Sequence, residues 1–215
     1  MPDLTFAVER AQPLADSAAP CLALDLRIAN RSGEPVDAVL LRCQVQIDAA
    51  RRRYTAAEKE RLRDLFGEAD RWGETLRPML WANLSVNVPG FTGDSACRIP
   101  LPCTFDFNVA ATKYFYGLEA GEIPVSALFS GTVFYQGAAG LQAQPIPWDR
   151  EARFALPVPV WRQMMDAWYP GTAWLHLGRA AFDALYRFRV EQGIATFDEA
   201  VLRLLRSARQ EQEVA

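Results

Sequence analysis

Histidine and lysine are almost absent from this chain. Its 215 residues contain one histidine, His176, and two lysines, Lys59 and Lys113. Nucleophilic catalysis by serine usually needs a histidine base, and the sequence has no G-x-S-x-G turn to hold such a serine. The phosphate-binding patterns G-x-x-x-x-G-K-[ST] and G-x-G-x-x-G are missing as well. The sequence therefore excludes the standard triad hydrolases and the standard nucleotide-binding loops.

The four cysteines lack the spacing of a metal site. Tetrahedral sites usually contain a C-x-x-C pair, because one tight turn must direct two thiolates at the same ion. The closest cysteines here, Cys97 and Cys103, are separated by five residues, two of which are prolines. Cys21 and Cys43 lie in apolar runs, where a free cysteine behaves as a small hydrophobic residue. We therefore predict core cysteines, and neither a metal nor another cofactor.

Long apolar runs and an excess of positive charge are also missing. Charges or turn residues interrupt every apolar stretch before the ~18 residues that a membrane span needs. The net charge of −3 argues against nucleic-acid binding, which normally requires a basic surface. Residues 1–6 show no basic and apolar regions of a secretory signal. These features predict a cytoplasmic protein without a membrane span and without a nucleic-acid partner.

What the chain does contain is a globular composition with the alternation of β-strands. Half of the residues are apolar and 11% are aromatic, which is enough for a sizeable core. Residues 21–28 and 36–47 alternate on either side of a polar turn and predict a hairpin. The other predicted strands cover residues 4–9, 84–88, 105–109, 113–118, 127–136 and 141–146. Seven or eight such strands predict an antiparallel, immunoglobulin-like β-sandwich in an α+β protein.

One helix is predicted inside the sandwich. Thr55 and Glu58 have the spacing of a capping box, in which each side chain binds the other residue's backbone N–H, and they predict a helix over residues 55–67. The run Arg51-Arg52-Arg53 before it can be interpreted as a nucleic-acid contact or as a solvated strand end. Acidic residues follow closely in the sequence. We therefore favour the strand end.

From Pro157 onward the apolar period changes from 2 to 3.6, which indicates helices. Three are predicted, beginning near residues 159, 172 and 196, and the second of them contains His176. We therefore predict a β-sandwich domain at residues 1–157, with its inserted helix near 55–67. A C-terminal helical segment at residues 158–215 is expected to pack on it, because about 55 residues can barely form a core of their own.

Aromatic residues are concentrated around the predicted change from strands to helices. Four of the six tryptophans lie within 27 residues of each other. Such rings either seal one element onto another or stay exposed as the dominant contacts of an interface, and both interpretations remain open. The candidate partner-contact residues are Trp148, Trp161, Trp168, Tyr169 and Trp174.

Two enzymatic interpretations compete with this one. Lys113 lies between aromatic residues on a predicted strand, where desolvation would prepare a nucleophilic amine. Paired carboxylates in a cleft could act as acid and base, and the acidic residues near predicted strand ends are Asp106, Glu119, Glu122 and Asp149. An outward-facing lysine and dispersed carboxylates are the simpler interpretation of both patterns. We therefore expect no catalytic residue.

Four segments resemble a bacterial family of unknown function: residues 112–118, 128–135, 145–149 and 157–161. Genes of that family are associated with clusters for high-affinity, oxygen-tolerant nickel–iron uptake hydrogenases. The resemblance implies a non-enzymatic accessory or assembly protein whose partner is a hydrogenase or its maturation machinery. It implies no site residues. A small-molecule-binding protein or enzyme is the alternative, and self-association stays open.

Overall fold

The computed structural model describes residues 1–214 and divides the chain into two compact units, Met1–Thr172 and Ala173–Ala215. Within the described residues, the first unit contains eight strands, five α-helices and two short 3-10 helices, and the second contains two α-helices. In chain order the elements are β1 (Leu4–Pro13), β2 (Cys21–Asn30), β3 (Val36–Ile47), α1 (Ala56–Arg61), α2 (Arg63–Phe66), α3 (Trp72–Thr75), β4 (Met79–Phe91), β5 (Asp94–Pro102), α4 (Val109–Gly117), β6 (Glu122–Gly137), β7 (Gly140–Pro145), β8 (Glu151–Pro157), α5 (Val158–Trp168), α6 (Arg179–Glu191) and α7 (Phe197–Val214).

The strands form two antiparallel sheets. The first sheet has the order β1-β2-β5, and the second has the order β4-β3-β6-β7, with β8 pairing the other half of β6. Phe6 of β1 stacks on Phe129 of β6 with ring centroids 4.4 Å apart, which joins the inner faces of the two sheets. The strand order is that of an immunoglobulin-like sandwich whose fourth strand joins the second sheet. The predicted α+β sandwich is therefore confirmed.

The predicted hairpin of residues 21–28 and 36–47 is wrong. β2 pairs with β1 and β5, whereas β3 pairs with β4 and β6, so the turn between them crosses from one sheet to the other. The buried Asn30 side chain holds this crossing, because it accepts hydrogen bonds from Asp3 N–H and Ser32 N–H and donates one to Glu34 O at 2.6 Å. Alternation shows which residues face the core but not which strand lies next to them.

The predicted strands over residues 105–109 and 113–118 are also wrong. Residues 109–117 form α4, and the Asn108 side chain caps this helix by accepting the N–H of Ala111 at 3.0 Å. Ala111, Tyr114 and Phe115 are buried at the i, i+3, i+4 spacing of a helix face. Tertiary burial thus outweighs the preference of tyrosine, phenylalanine and threonine for strands.

In the inserted segment the Thr55–Glu58 capping box is confirmed, and the predicted helix is divided at Leu62 into α1 and α2.

The C-terminal helices belong to different units. α5 begins where the change of period predicts and packs against β1, β2 and β8, so it lies in the first unit. The expected domain boundary after residue 157 therefore differs from the division of the structure, which follows Thr172. α6 begins at Arg179 and not near residue 172, which places His176 in a non-helical segment. No helix within residues 1–214 is both long and apolar enough to cross a membrane.

A glycine allows β6 to run close to β3. Gly131 has a φ of 135°, which side-chain-bearing residues rarely adopt. A Cβ atom there would lie 2.0 Å from the backbone oxygen of Leu40, far inside van der Waals contact. Only glycine therefore fits at position 131, where β6 passes β3.

Candidate protein-interaction site

The outer face of the second sheet carries a polar row centred on Arg42. From Val39 to Ile47 the odd-numbered residues of β3 face the core and the even-numbered ones face outward. Arg42 therefore points outward, and the register places it between Ser85 of β4 and Ser130 of β6. One row further on, the Gln44 amide donates a hydrogen bond to Asn83 Oδ1 at 3.2 Å. Among the residues that the structure describes, the Arg42 guanidinium has neither a salt bridge nor a hydrogen bond.

Trp148 borders the same groove. It lies in the connection between β7 and β8, and 94% of its surface is exposed. Together with Arg42, Gln44, Asn83 and neighbouring residues it lines a groove of about 630 Å³. A fully exposed indole costs hydrophobic free energy, and an unpaired guanidinium retains its hydrogen-bonding capacity. We call this set of Arg42, Gln44, Asn83 and Trp148 the outer-sheet groove.

The other predicted contact residues are found in different environments. Trp161 is 4% exposed and stacks on Phe115 with centroids 5.0 Å apart, so the interpretation as a core ring applies to it. Tyr169 is half-buried, with its ring 4.8 Å from that of Phe105. Trp168 at the end of α5 and Trp174 in the second unit are 37% and 39% exposed.

A second concave region lies beside α5. It has a volume of about 430 Å³ and is lined by Arg61, Tyr116, Arg162, Asp166 and several apolar residues, including the buried Trp161. Arg61 donates to Glu119 at 2.8 Å, and Arg162 donates to the backbone oxygen of Leu118. Each guanidinium has further N–H groups, so the cleft contains donors suited to a carboxylate. We call it the α5 cleft.

The proposed amine and carboxylate chemistry finds little support in the geometry. Lys113 lies on a helix and not on a strand; its side chain is half exposed, and its Nζ is 2.5 Å from Asp64 Oδ2. The desolvation that the amine hypothesis needs is therefore absent. All four candidate carboxylates, Asp106, Glu119, Glu122 and Asp149, are exposed. Among the described residues, Glu119 also accepts hydrogen bonds from Arg61 and Thr55. Within residues 1–214 no three His, Cys, Asp or Glu side chains lie close enough to hold a metal ion.

The cysteines are free thiols in low-polarity surroundings. Three are buried and Cys97 is half-buried. Burial is the main cause that raises the pKa of Cys43 to about 12, and burial also raises the pKa of Cys103. Both therefore stay protonated and unreactive near neutral pH. Their positions agree with the prediction of core cysteines.

A buried ion pair anchors the inserted segment to the second sheet. Arg52, predicted to be part of a solvated strand end, is instead buried and makes a bidentate contact with Glu58, with both N–O distances 2.9 Å. Glu58 also accepts the backbone N–H groups of Thr55 and Glu119 at 3.0 and 2.8 Å. Burial alone would raise the pKa of Glu58. The hydrogen bonds from Arg52 and from these two amides outweigh burial and lower the pKa to about 2.

This lowered pKa predicts that the folded protein loses stability in acid. An unfolded glutamate titrates near pH ~4.3, so the unfolded chain takes up this proton before the folded one. The contribution of Glu58 to stability is therefore complete above about pH 5 and declines as the pH falls towards 2, by about 3 kcal/mol in total. Urea titrations between pH 6 and pH 2.5 measure this decline. The Glu58→Gln variant should lack it; an identical decline in that variant would assign the acid sensitivity to other carboxylates.

Comparison with solved structures finds distant similarities. The CARDB domain of the PF1109 protein from Pyrococcus furiosus, in complex with di-metal ions, is 11% identical, with a TM-score of 0.30 over 73% of this chain and 92% of that domain. A late embryogenesis abundant protein is 9% identical, with a TM-score of 0.34 over 76% of this chain and 75% of that one. The ApaA protein from Bordetella pertussis is 16% identical, with a TM-score of 0.26 over 72% and 93% of the two chains.

A sequence comparison with curated proteins gives no significant match. One family model does match, and it covers residues 1–213. That extent includes both sheets, the outer-sheet groove and both C-terminal helices up to the last turn of α7. The chain therefore belongs to the family of unknown function DUF6084.

Proposed function

We propose that this protein is a non-enzymatic accessory or assembly protein of the cytoplasm that binds another protein through the outer-sheet groove. The observation that carries the proposal is that one groove is lined both by Trp148, which is 94% exposed, and by Arg42, which has no ion-pair or hydrogen-bond partner among the described residues. Tryptophan and arginine are the residue types most enriched among the side chains that dominate binding energy. The partner we propose is a nickel–iron hydrogenase or one of its maturation factors, on the basis of the family resemblance of four segments.

The groove offers each component of a contact site. The indole of Trp148 supplies apolar area that a partner side chain can cover, and Arg42 can pair with a carboxylate or with backbone carbonyls. Ser85 and Ser130, directly beside Arg42, can donate or accept a hydrogen bond. The hydrogen bond between Gln44 and Asn83 keeps the adjacent amides in fixed positions. The groove thus combines an apolar ring with polar side chains, as protein interfaces do.

Trp148→Ala is expected to weaken partner binding at least 30-fold, which corresponds to about 2 kcal/mol, and Arg42→Ala is expected to have a similar effect. The tagged protein would be purified from its host under hydrogen-limited aerobic growth and its partners identified by mass spectrometry. Affinities would then be measured with the purified hydrogenase or maturation factor.

Two matched variants control for the loss of an exposed ring and of an exposed cation. Phe107→Ala removes an aromatic side chain that is 45% exposed and lines neither the groove nor the α5 cleft, and Arg10→Ala removes an exposed arginine of the first sheet. Both should bind as the wild type does. Equal affinities for all four variants and the wild type would contradict the proposal.

A second candidate function is the binding of a small carboxylate in the α5 cleft. The observation in its favour is that Arg61 and Arg162 line one cleft together with apolar side chains. A carboxylate ligand should raise the melting temperature of the wild type and of Trp148→Ala, and Arg162→Ala should abolish the shift. Screening a set of small carboxylates by thermal denaturation tests this function. No shift with any member would exclude it for that set.

A further inference from the structure

The second unit cannot bury its own apolar residues. α6 and α7 pack through Phe197, whose ring centroid lies 5.6 Å from that of Phe182 and 6.4 Å from that of Tyr186. Among the side chains described in this unit, only Ala200 is buried. A unit of about 40 residues usually needs a further source of stability, such as oligomerisation. Another surface is therefore needed to cover this pair of helices.

α7 has a second stripe, which lies to one side of its contact with α6. Asp198, Leu202, Leu205 and Arg209 follow one another at spacings of 4, 3 and 4 residues, which is the heptad pattern of a coiled-coil seam. At about 100° per residue, Asp198 is a quarter turn away from Phe197, which contacts α6. Leu202 and Leu205 are each 52% exposed. We call these four residues the α7 seam.

The charges of the α7 seam are complementary to those of the same seam in reverse. Asp198 lies at its N-terminal end and Arg209 at its C-terminal end, and neither has an ion-pair partner in the described part of the chain. Two antiparallel copies related by a two-fold axis between residues 203 and 204 place Leu202 opposite Leu205 and Asp198 opposite Arg209, twice. Parallel copies would instead place like charges opposite each other, which is destabilising.

We propose that a second copy of this chain covers the α7 seam, with the two α7 helices antiparallel in the core of a homodimer. The charges beside the seam fit the same axis. Glu199 and Arg206 lie on one side of the seam and have opposite charges, so antiparallel copies place Glu199 of each chain near Arg206 of the other. The two copies of α6 and α7 then form a four-helix arrangement.

The exposed apolar area of the unit is sufficient for such a dimer. A cleft of about 550 Å³ between α6, α7 and the segment before α6 is lined by Asp198 of the seam and by apolar residues. Ten apolar side chains of the unit remain exposed: Trp174, Leu175, Leu177, Phe182, Tyr186, Val190, Val201, Leu202, Leu204 and Leu205. Together they expose on the order of 800 Å², which is about what each partner contributes to a stable interface.

Sedimentation equilibrium of the full chain tests the proposal. The expected species at micromolar concentration has twice the mass of the 24.0 kDa chain. Asp198→Arg or Arg209→Asp alone places like charges opposite each other across the axis and should raise the dissociation constant at least tenfold. The double variant Asp198→Arg/Arg209→Asp restores both pairs with reversed sign and should return the dissociation constant to the wild-type value.

Charge reversals outside the seam provide the matched controls. Glu191→Arg on α6 and Arg203→Asp on the opposite side of α7 should leave the dissociation constant unchanged, and circular dichroism checks that every variant keeps its helices. A monomeric wild type overturns the proposal, whether the sandwich or a different protein then covers the seam. A dimer that the single reversals do not weaken, or that the double reversal does not restore, overturns it as well.

Discussion

Replacing Glu58 with glutamine is expected to lower the free energy of unfolding by about 3–5 kcal/mol, although Glu58 belongs to no proposed binding site. The substitution keeps the size of the side chain and removes its charge. The Arg52 guanidinium would then remain as an unpaired buried charge, with only 8% of its side chain exposed. Burying a charge without its counter-charge is among the most costly single changes in a protein.

The cost is high because the pair also satisfies the backbone at a junction. Arg52 donates to the backbone oxygens of Ala120 and Glu122, and Glu58 accepts the N–H of Glu119 at 2.8 Å. These groups lie where α4 ends and β6 begins. Removing both charges with Arg52→Met/Glu58→Gln would therefore restore only part of the stability, because the backbone oxygens would lose their donors.

Urea unfolding at pH 7 measures these effects, and a double-mutant cycle isolates the coupling between the two residues. Glu60→Gln is the matched control, because Glu60 is on the same helix, is 77% exposed and lies 3.7 Å from Arg63. Its loss should cost less than about 0.5 kcal/mol. An effect of Glu58→Gln as small as that of Glu60→Gln would mean that the buried pair contributes nothing to stability.

The sequence predicts only the local part of this network. The spacing of Thr55 and Glu58 is that of a capping box, and both reciprocal bonds are present, because the interaction depends on three consecutive backbone steps. Arg52 and Glu58 are only six residues apart, but the backbone groups that surround the pair belong to residues 119–122, more than sixty residues further along the chain. No local pattern contains that information, so the arginine run is indistinguishable from a solvated one.

For the fold as well, the sequence predicts what depends on local patterns and not what depends on long-range packing. The alternation in residues 36–47 and 127–136 correctly predicts that they lie in the strands β3 and β6, and the number of strands correctly indicates a sandwich. Strand neighbours depend on tertiary packing, and the predicted β2–β3 hairpin conflicts with the immunoglobulin-like order itself, in which those strands lie in opposite sheets. At the candidate site, the exposed Trp148 is one of the residues selected from the sequence. Arg42 is not, because only the folded sheet brings it to the same groove.

Trp161→Ala is expected to destabilise the protein by about 3–5 kcal/mol, as truncation of a large buried ring usually does. Trp161 connects α5 to α4 by stacking on Phe115 at an interplanar angle of 17°, and Phe115 in turn packs on Trp81 of β4 at 4.7 Å. The three rings form a continuous column from the second sheet to α5. A cavity at the α5 end of this column removes the stacking partner of Phe115.

Trp168→Ala on the same helix is the control, because that ring is 37% exposed and should cost less than about 1 kcal/mol. Comparable losses for both variants would mean that α5 does not depend on the column.

The same packing determines where the chain can be truncated without unfolding the sandwich. A chain ending at Thr172 keeps Trp161, Met164 and Met165 in the core and should unfold cooperatively, whereas one ending at Pro157 exposes the surface of Phe115 and should not. Residues 158–168 thus contribute to the core of the sandwich, although their sequence has the period of a helix.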